Sequence, residues 1–186
     1  MFCTIAQTGQ FFDFYHRPGN VHDSNGADQF MLDCLSEAKS QLSGSIFESR
    51  MDSAFFSQKV MSVYDENNVL FCASVPFERL TELKGMVESR KRWKKIDDQW
   101  SYFETKWKPK SWNKCYRFVF TRKRIQRQRK GPLQLHLFEP RDFDYDYKVI
   151  VTNKQESAKS VMLFHNGRGS QVNHKGSAQT PLTIVL

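Results

Sequence analysis

Apolar residues recur along the chain with two different periods, and the places where the period changes mark out its elements. Residues 4–17 alternate and carry Phe11, Phe12, Phe14 and Tyr15, with Gln7-Thr8-Gly9 as a turn, which predicts an antiparallel hairpin ended by Pro18-Gly19-Asn20. The polar run His22-Asp23-Ser24-Asn25-Gly26 reads as a loop. Over 27–42 the period lengthens: Ala27, Phe30, Met31, Cys34, Leu35, Ala38 and Leu42 share one face of a helix. The short stretch 46–51 follows Ser43-Gly44-Ser45 and predicts a strand that delivers Asp52 to its carboxyl end, with a helix running on to Asn67. Residues 69–75 form a continuous apolar run, as expected of a strand covered on both faces, and 77–92 read as another helix. Strand, helix, strand, helix in this order implies a sheet layered by helices.

From Trp93 onward the two-residue period returns. Residues 100–107, 115–121, 133–138 and 145–152 alternate and are separated by Lys108-Pro109-Lys110-Ser111, by a charged run and by Glu139-Pro140-Arg141-Asp142. They read as antiparallel strands inserted between two helices of an α/β core. A last helix over 156–167 turns Ala158, Val161, Met162 and Phe164 or His165 inward. The expected organisation is a partial core at 1–92, a β-rich basic insertion at 93–154, a return helix at 155–171 and a divergent tail at 172–186. With 186 residues, 39% of them hydrophobic, the chain can bury one substantial core.

Charge changes this picture, because it is concentrated. Between Lys84 and Lys130 there are seventeen Lys and Arg against four Asp and Glu; the remainder has eleven against sixteen, so the formal +8 belongs to one segment. A localised positive field of this size suits a polyanion such as DNA, whose phosphates exchange bound counterions for Lys and Arg. The densest run, Arg122-Lys123-Arg124-Ile125-Gln126-Arg127-Gln128-Arg129-Lys130, reads either as a nuclear localisation signal or as a loop on DNA, with Arg122, Lys123, Arg124, Arg127, Arg129 and Lys130 as the DNA-binding residues in the second reading. Trp93, Trp100, Trp107 and Trp112 stand beside the basic residues, either as stacking surfaces or as the core of the inserted strands. No apolar run is long enough to span a membrane, and no signal peptide follows Met1, so the expected location is the cytoplasm. Cys3, Cys34, Cys72 and Cys115 lie far apart without a CxxC pair and read as buried, reduced thiols.

Candidate chemistry is sparse. Asp52, directly before Ser53-Ala54-Phe55, reads either as a helix N-cap or as a metal-binding carboxylate. Asp23 and Asp28 flank a helix start, Asp97-Asp98 sits in a turn, and Asp142, Asp144 and Asp146 alternate with aromatics on one solvated strand face. The histidines are scattered, with no Ser-His-Asp or Cys-His pattern.

Two phrases carry a resemblance. Glu48-Ser49-Arg50-Met51-Asp52-Ser53-Ala54-Phe55-Phe56 and Phe164-His165-Asn166-Gly167-Arg168-Gly169-Ser170-Gln171 resemble the active-site segments of insertion-sequence transposases of the DDE type. Arg17-Pro18-Gly19-Asn20, Ser74-Val75-Pro76, Trp107-Lys108-Pro109, Gln134-Leu135-His136-Leu137-Phe138-Glu139-Pro140 and Val151-Thr152-Asn153-Lys154 extend it to nearly the whole chain up to Gln171. The resemblance implies a ribonuclease H-like mixed sheet layered by helices, with a β-rich insertion. It implies a parent enzyme that cuts and joins DNA with magnesium or manganese, acting as a homo-oligomer on the ends of its element in the bacterial nucleoid. In that chemistry two divalent ions about 4 Å apart, held by carboxylates, activate the attacking oxygen and stabilise the leaving one.

By the resemblance Asp52 is the family's second metal-binding aspartate, while the strand bearing the first is expected to be absent. The family signature Tyr-x-x-Arg-x-x-x-Glu, with Lys seven residues after the Glu, places His165 at the tyrosine, Arg168 at the arginine, Val172 at the acid and Gln179 at the lysine. Arg168 is then expected to contact a DNA phosphate. The change after Gln171 reads as a shifted frame. With one of three acids, the expectation is a transposase fragment inactive on its own that does not hold the metal tightly. The alternative is a non-catalytic DNA-binding remnant able to mix with full-length transposase.

Overall fold

The computed structural model describes residues 1–16, 25–125, 145–167 and 182–185. Its strands are β1 (Phe2–Ile5), β2 (Phe11–Phe14), β3 (Phe47–Met51), β4 (Leu70–Ser74), β5 (Lys94–Lys95), β6 (Trp100–Trp107), β7 (Tyr116–Arg124), β8 (Tyr145–Thr152) and β9 (Leu182–Val185). Its helices are α1 (Ala27–Gln41), α2 (Gln58–Glu66), α3 (Thr81–Ser89) and α4 (Ala158–His165). The nine strands among the described residues belong to one sheet, in the order β2-β1-β9-β3-β4-β8-β7-β6-β5. β3 is parallel to β4 and β9; every other pairing is antiparallel. This is the mixed, helix-layered α/β sheet that the alternating periods predict.

Two unequal cores cover the two faces. The larger joins α1 and α2 to Phe47, Met51, Phe71, Phe118 and Phe120. α1 buries Ala27, Phe30, Met31, Cys34, Leu35 and Ala38, the predicted stripe, while Leu42 lies past its end and stays exposed. The smaller core packs Ala158, Val161 and Phe164 of α4 on Cys72, Val119 and Ile150. Phe71, Cys72 and Ala73 are all fully buried, as a strand sandwiched between both cores requires.

Several boundaries differ from the sequence reading. The segment after Asp52 is a 3-10 turn at Ser53–Phe55 and then α2, because Ser57 accepts the amide of Val60 and starts a new helix. The 77–92 helix shortens to α3 after a 3-10 turn at Phe77–Arg79. β7 runs on to Arg124, so Arg122, Lys123 and Arg124 lie on a strand instead of a loop; pairing with β6 and β8 on both sides outweighs their charge. The strands of the basic segment continue the main sheet, since β8 pairs directly with β4. The strand expected at 133–138 lies outside the described residues.

Cys3, Cys34 and Cys72 are buried thiols, but Cys115 is exposed. Trp112 is buried, and Trp93 and Trp107 pack against the larger core. β9 is an interior strand formed by the tail: Thr4 and Ile5 of β1 pair it on one side, and Phe47 through Arg50 of β3 on the other.

Candidate functional site

The alternation of Phe47-Glu48-Ser49-Arg50-Met51 sets the character of each face of β3. Phe47 and Met51 join the α1/α2 core, and Ser49 donates from Oγ to Tyr64 Oη on α2 at 3.1 Å. Glu48 and Arg50 point to the other side, under α4. Glu48 is buried in an ion pair with Lys154, whose ammonium also stands 3.5 Å from Glu156 and 4.1 Å above the Phe164 ring. Neighbouring Thr152 and Asn153 pin the end of β8 to β4. Phe71 N donates to Asn153 Oδ1 at 2.8 Å, and Thr152 Oγ1 donates to Phe71 O at 2.5 Å.

Asp52 follows at the carboxyl end of β3. It is exposed, its backbone is extended, and its Oδ1 accepts the Ala54 amide at 2.7 Å, so it caps the 3-10 turn. β3 and β4 pair with Met51 opposite Ala73, so one more step of the register sets Asp52 beside Ser74. On its other side the neighbouring strand is Leu182-Thr183-Ile184-Val185, which has no acid.

Basic groups gather at this strand end. Arg50 sends Nη1 to Phe164 O at 3.3 Å and lays its guanidinium 5.8 Å from the centre of the Phe164 ring, while its Nε is buried without a partner. Gly167, at φ 79°, lies against it; a Cβ there would stand 2.8 Å from Arg50 Nη1. His165 Nε2 is 3.0 Å from Ser74 Oγ, and its Nδ1 is buried without a partner. Burial, then Lys148, and also Arg50 push the His165 ring down to about 4, outweighing the Asn166 side chain and Met51 backbone beside it, so the ring is neutral at pH 7. Burial also lowers the Arg50 and Lys148 values, the latter opposed by Asp146. Lys148 donates to Asn166 Oδ1 at 3.0 Å.

The sheet register extends this cationic zone. Lys148 pairs with Thr121, Arg122 with both Tyr147 and Ser101, Lys123 with Trp100, and Lys94 with Tyr102. Two basic runs far apart in sequence, 90–95 and 122–124, therefore meet at the end of the sheet that carries Lys148. Several of these cations sit over aromatic faces: Arg122 is 4.5 Å from the Trp93 ring and 4.1 Å from Tyr145, Lys123 is 5.8 Å from Trp100, and Lys94 is 5.9 Å from Tyr102. A separate cavity of about 150 Å³, lined by Arg79, Glu82, Trp107 and Lys110 among others, contains none of them.

A family model described as transposase DDE domain group 1 matches residues 2–184. The chain belongs to this transposase family. No curated protein and no solved structure matches it. In a transposase DDE domain, divalent metal is the family's cofactor, which sets a test for the residues present. Among the described residues, no three His, Cys, Asp or Glu side chains come together. Asp52 is the only carboxylate at the described ends of β3, β4 and β9, and its Oδ1 is engaged by the Ala54 amide. This donor set does not fit a two-ion centre, because a pair of hard cations requires several carboxylate oxygens. Among the described residues, no helix of the DDE domain is long and apolar enough to cross a membrane.

Of the residues singled out in the sequence, Asp52 and the Arg122 to Arg124 run lie at one end of the sheet. Arg168, Val172, Arg127, Arg129 and Lys130 lie outside the described residues. Sequence reasoning missed Arg50, Ser74 and Lys148 as members of the cluster. A signal for Arg50 was present: two charges, Glu48 and Arg50, alternate within a short strand of the core, which demands partners for both.

Proposed function

We propose that this transposase DDE domain binds DNA without cutting it by itself. The observation that supports this most directly is the composition of the strand end around Asp52. One carboxylate lies at this end of the sheet, which also carries Arg50, Lys148 and His165, and a run of exposed lysines and arginines continues along β7 and β5. Such a surface attracts phosphates and offers too few acids for two-metal chemistry. In this reading Lys123 and Arg124, with Arg127, Arg129 and Lys130 following in the sequence, contact the DNA backbone, Arg168 holds a phosphate, and Asp52 acts as a turn cap. A second transposase chain that carries the acids, in a mixed oligomer, would supply them for cleavage.

Binding to duplex DNA, followed by fluorescence anisotropy across a salt series, tests the reading. Affinity is expected to fall steeply and linearly on a log–log plot, with a slope of about −4 to −8 for five to nine phosphate contacts. Lys123→Gln with Arg124→Gln should reduce that slope by about 2. Asp52→Ala should leave affinity within about twofold. Absence of binding at low salt, or a large dependence of binding on Asp52 together with magnesium, contradicts the proposal.

A further inference from the structure

The sheet ends at β2, on the opposite edge from the basic strands, and there the β1–β2 hairpin leaves one face bare. Cys3 is fully buried in the larger core, so its neighbours Phe2 and Thr4 point to the other side of the sheet. Phe14 stands opposite Phe2, and a bulge between Cys3 and Thr4 sets Phe11 opposite Thr4, so both phenylalanines emerge on that same side. The Phe2 and Phe11 rings lie 5.7 Å apart. Phe12 and Asp13 turn the other way: Phe12 packs against the larger core, and Asp13 Oδ2 lies 3.9 Å from the Cys34 thiol of α1. The helix on the bare side, α4, packs further along the sheet on Cys72, Val119 and Ile150. Phe2, Phe11 and Phe14 are left 61%, 72% and 67% exposed.

The surroundings of these rings select what can cover them. Tyr15 N bonds to Met1 O, so the Phe14 amide faces the free side of β2, where Asp13 Oδ1 takes it at 2.7 Å. That bond closes the edge to an added strand at this point and leaves the aromatic face as the contact surface. Asp13 is the only charged side chain in residues 2–15, and it faces α1, so the patch offers no charge to a polyanion or a charged peptide. An uncharged, apolar partner surface is required, and a second copy of the patch is one. The charge of the chain favours meeting here. Strand β7 of the basic segment lies six strand spacings from β2, roughly 30 Å at about 4.8 Å each and well beyond the ~8 Å screening length of physiological salt. Two copies that meet at the β1–β2 edge keep their positive surfaces apart.

Area sets the strength of such a contact. At roughly 200 Å² per phenylalanine, three rings two-thirds exposed present about 400 Å² per copy and about 800 Å² for a facing pair. Contiguous apolar patches of this size on a monomer commonly mark contact sites. Permanent dimers bury about 2,000 Å² or more, and weak, reversible pairs less than about 1,200 Å², the range that these rings with a rim from Thr4 and Gln10 would reach. We propose that this chain forms a reversible two-fold dimer through the Phe2, Phe11 and Phe14 face, in the absence of DNA. The same patch serves both copies, so the contact closes at two. It does not depend on the DNA-binding reading above, and either can fail alone.

Sedimentation equilibrium of the whole chain without DNA, over a wide range of protein concentration and at two salt concentrations, tests the proposal. A monomer–dimer equilibrium in the micromolar range is expected, no weaker at the higher salt because the contact is apolar. Phe11→Ser with Phe14→Ser should weaken it at least tenfold. These side chains are already exposed, so the midpoint of thermal unfolding should stay within a few degrees of the parent and serves as the control for folding. Lys123→Gln with Arg124→Gln should leave the dimer unchanged, whatever it does to DNA binding. A chain that stays monomeric throughout, a dimer indifferent to the phenylalanine substitutions, a dimer that forms only with DNA, or assembly that continues past two copies would each overturn the proposal. Binding to uncharged lipid vesicles that requires the same phenylalanines, with no dimer in solution, would also overturn it by giving the face a different occupant.

Discussion

On one face of β3, Phe47, Ser49 and Met51 meet α1 and α2, and the polar atom there, Ser49 Oγ, has its partner on Tyr64. On the other face, Glu48 and Arg50 lie under α4, and Asp52 follows at the strand end. The same five-residue strand thus carries a closed, self-satisfied side and a charged side whose groups are matched unequally. Glu48 has Lys154; Arg50 has an aromatic ring and a carbonyl. The closed face accounts for the fold, whereas on the charged face Arg50 has no carboxylate partner among the described residues.

The largest expected break in this comparison comes at the matched charge. Lys154→Met should cost about 3–5 kcal/mol of unfolding free energy, because it strands Glu48 uncompensated in the interior. Adding Glu48→Leu should recover most of the loss, and chemical denaturation of the three proteins measures it. Recovery distinguishes an isolated buried charge from a general packing defect.

The next effect belongs to His165. Its folded-state value lies near 4 against an ordinary 6.5, so between those values the unfolded chain holds more protons. Its contribution is fully present above about pH 6.5 and is lost as pH falls toward about 4, by up to about 3 kcal/mol. His165→Gln should flatten that part of the stability–pH curve. An unchanged curve would mean that the ring is not buried among cations.

A smaller probe lies on the closed face. Tyr64→Phe should cost about 1 kcal/mol, leaving Ser49 Oγ without its acceptor but the apolar packing intact, as thermal unfolding would register. Smallest of all, Asp52→Ala should remove a turn cap worth about 1 kcal/mol or less, whereas Asp52→Asn should preserve it. A much larger loss from either substitution would give Asp52 a structural role beyond the cap.

Much of the closed half was legible in the sequence. The i, i+3, i+4 stripe from Ala27 to Ala38 and the unbroken apolar run through Phe71 and Ala73 each encode burial directly. The position of Asp52 was legible too, because a short strand after Ser43-Gly44-Ser45 can end only there. The charged half was less so. Lys148 reaches Asn166, and His165 reaches Ser74, across separations of 18 and 91 residues, and no local pattern encodes such meetings. β9 was missed for a similar reason: four residues carry little periodicity, and their strand conformation comes from hydrogen bonds to β1 and β3 on both sides. β7 outran its predicted end because pairing on both sides outweighs the repulsion among Arg122, Lys123 and Arg124.

The central claim is that this end of the sheet holds DNA but does not cut it, and one assay addresses both halves together. Purified protein is incubated with supercoiled plasmid carrying the element ends in magnesium or manganese, and both retention of the DNA and its nicking are read from the same reaction. The account predicts retained, intact plasmid, unchanged by Asp52→Ala. Nicking by the wild-type protein that disappears in Asp52→Ala would contradict it.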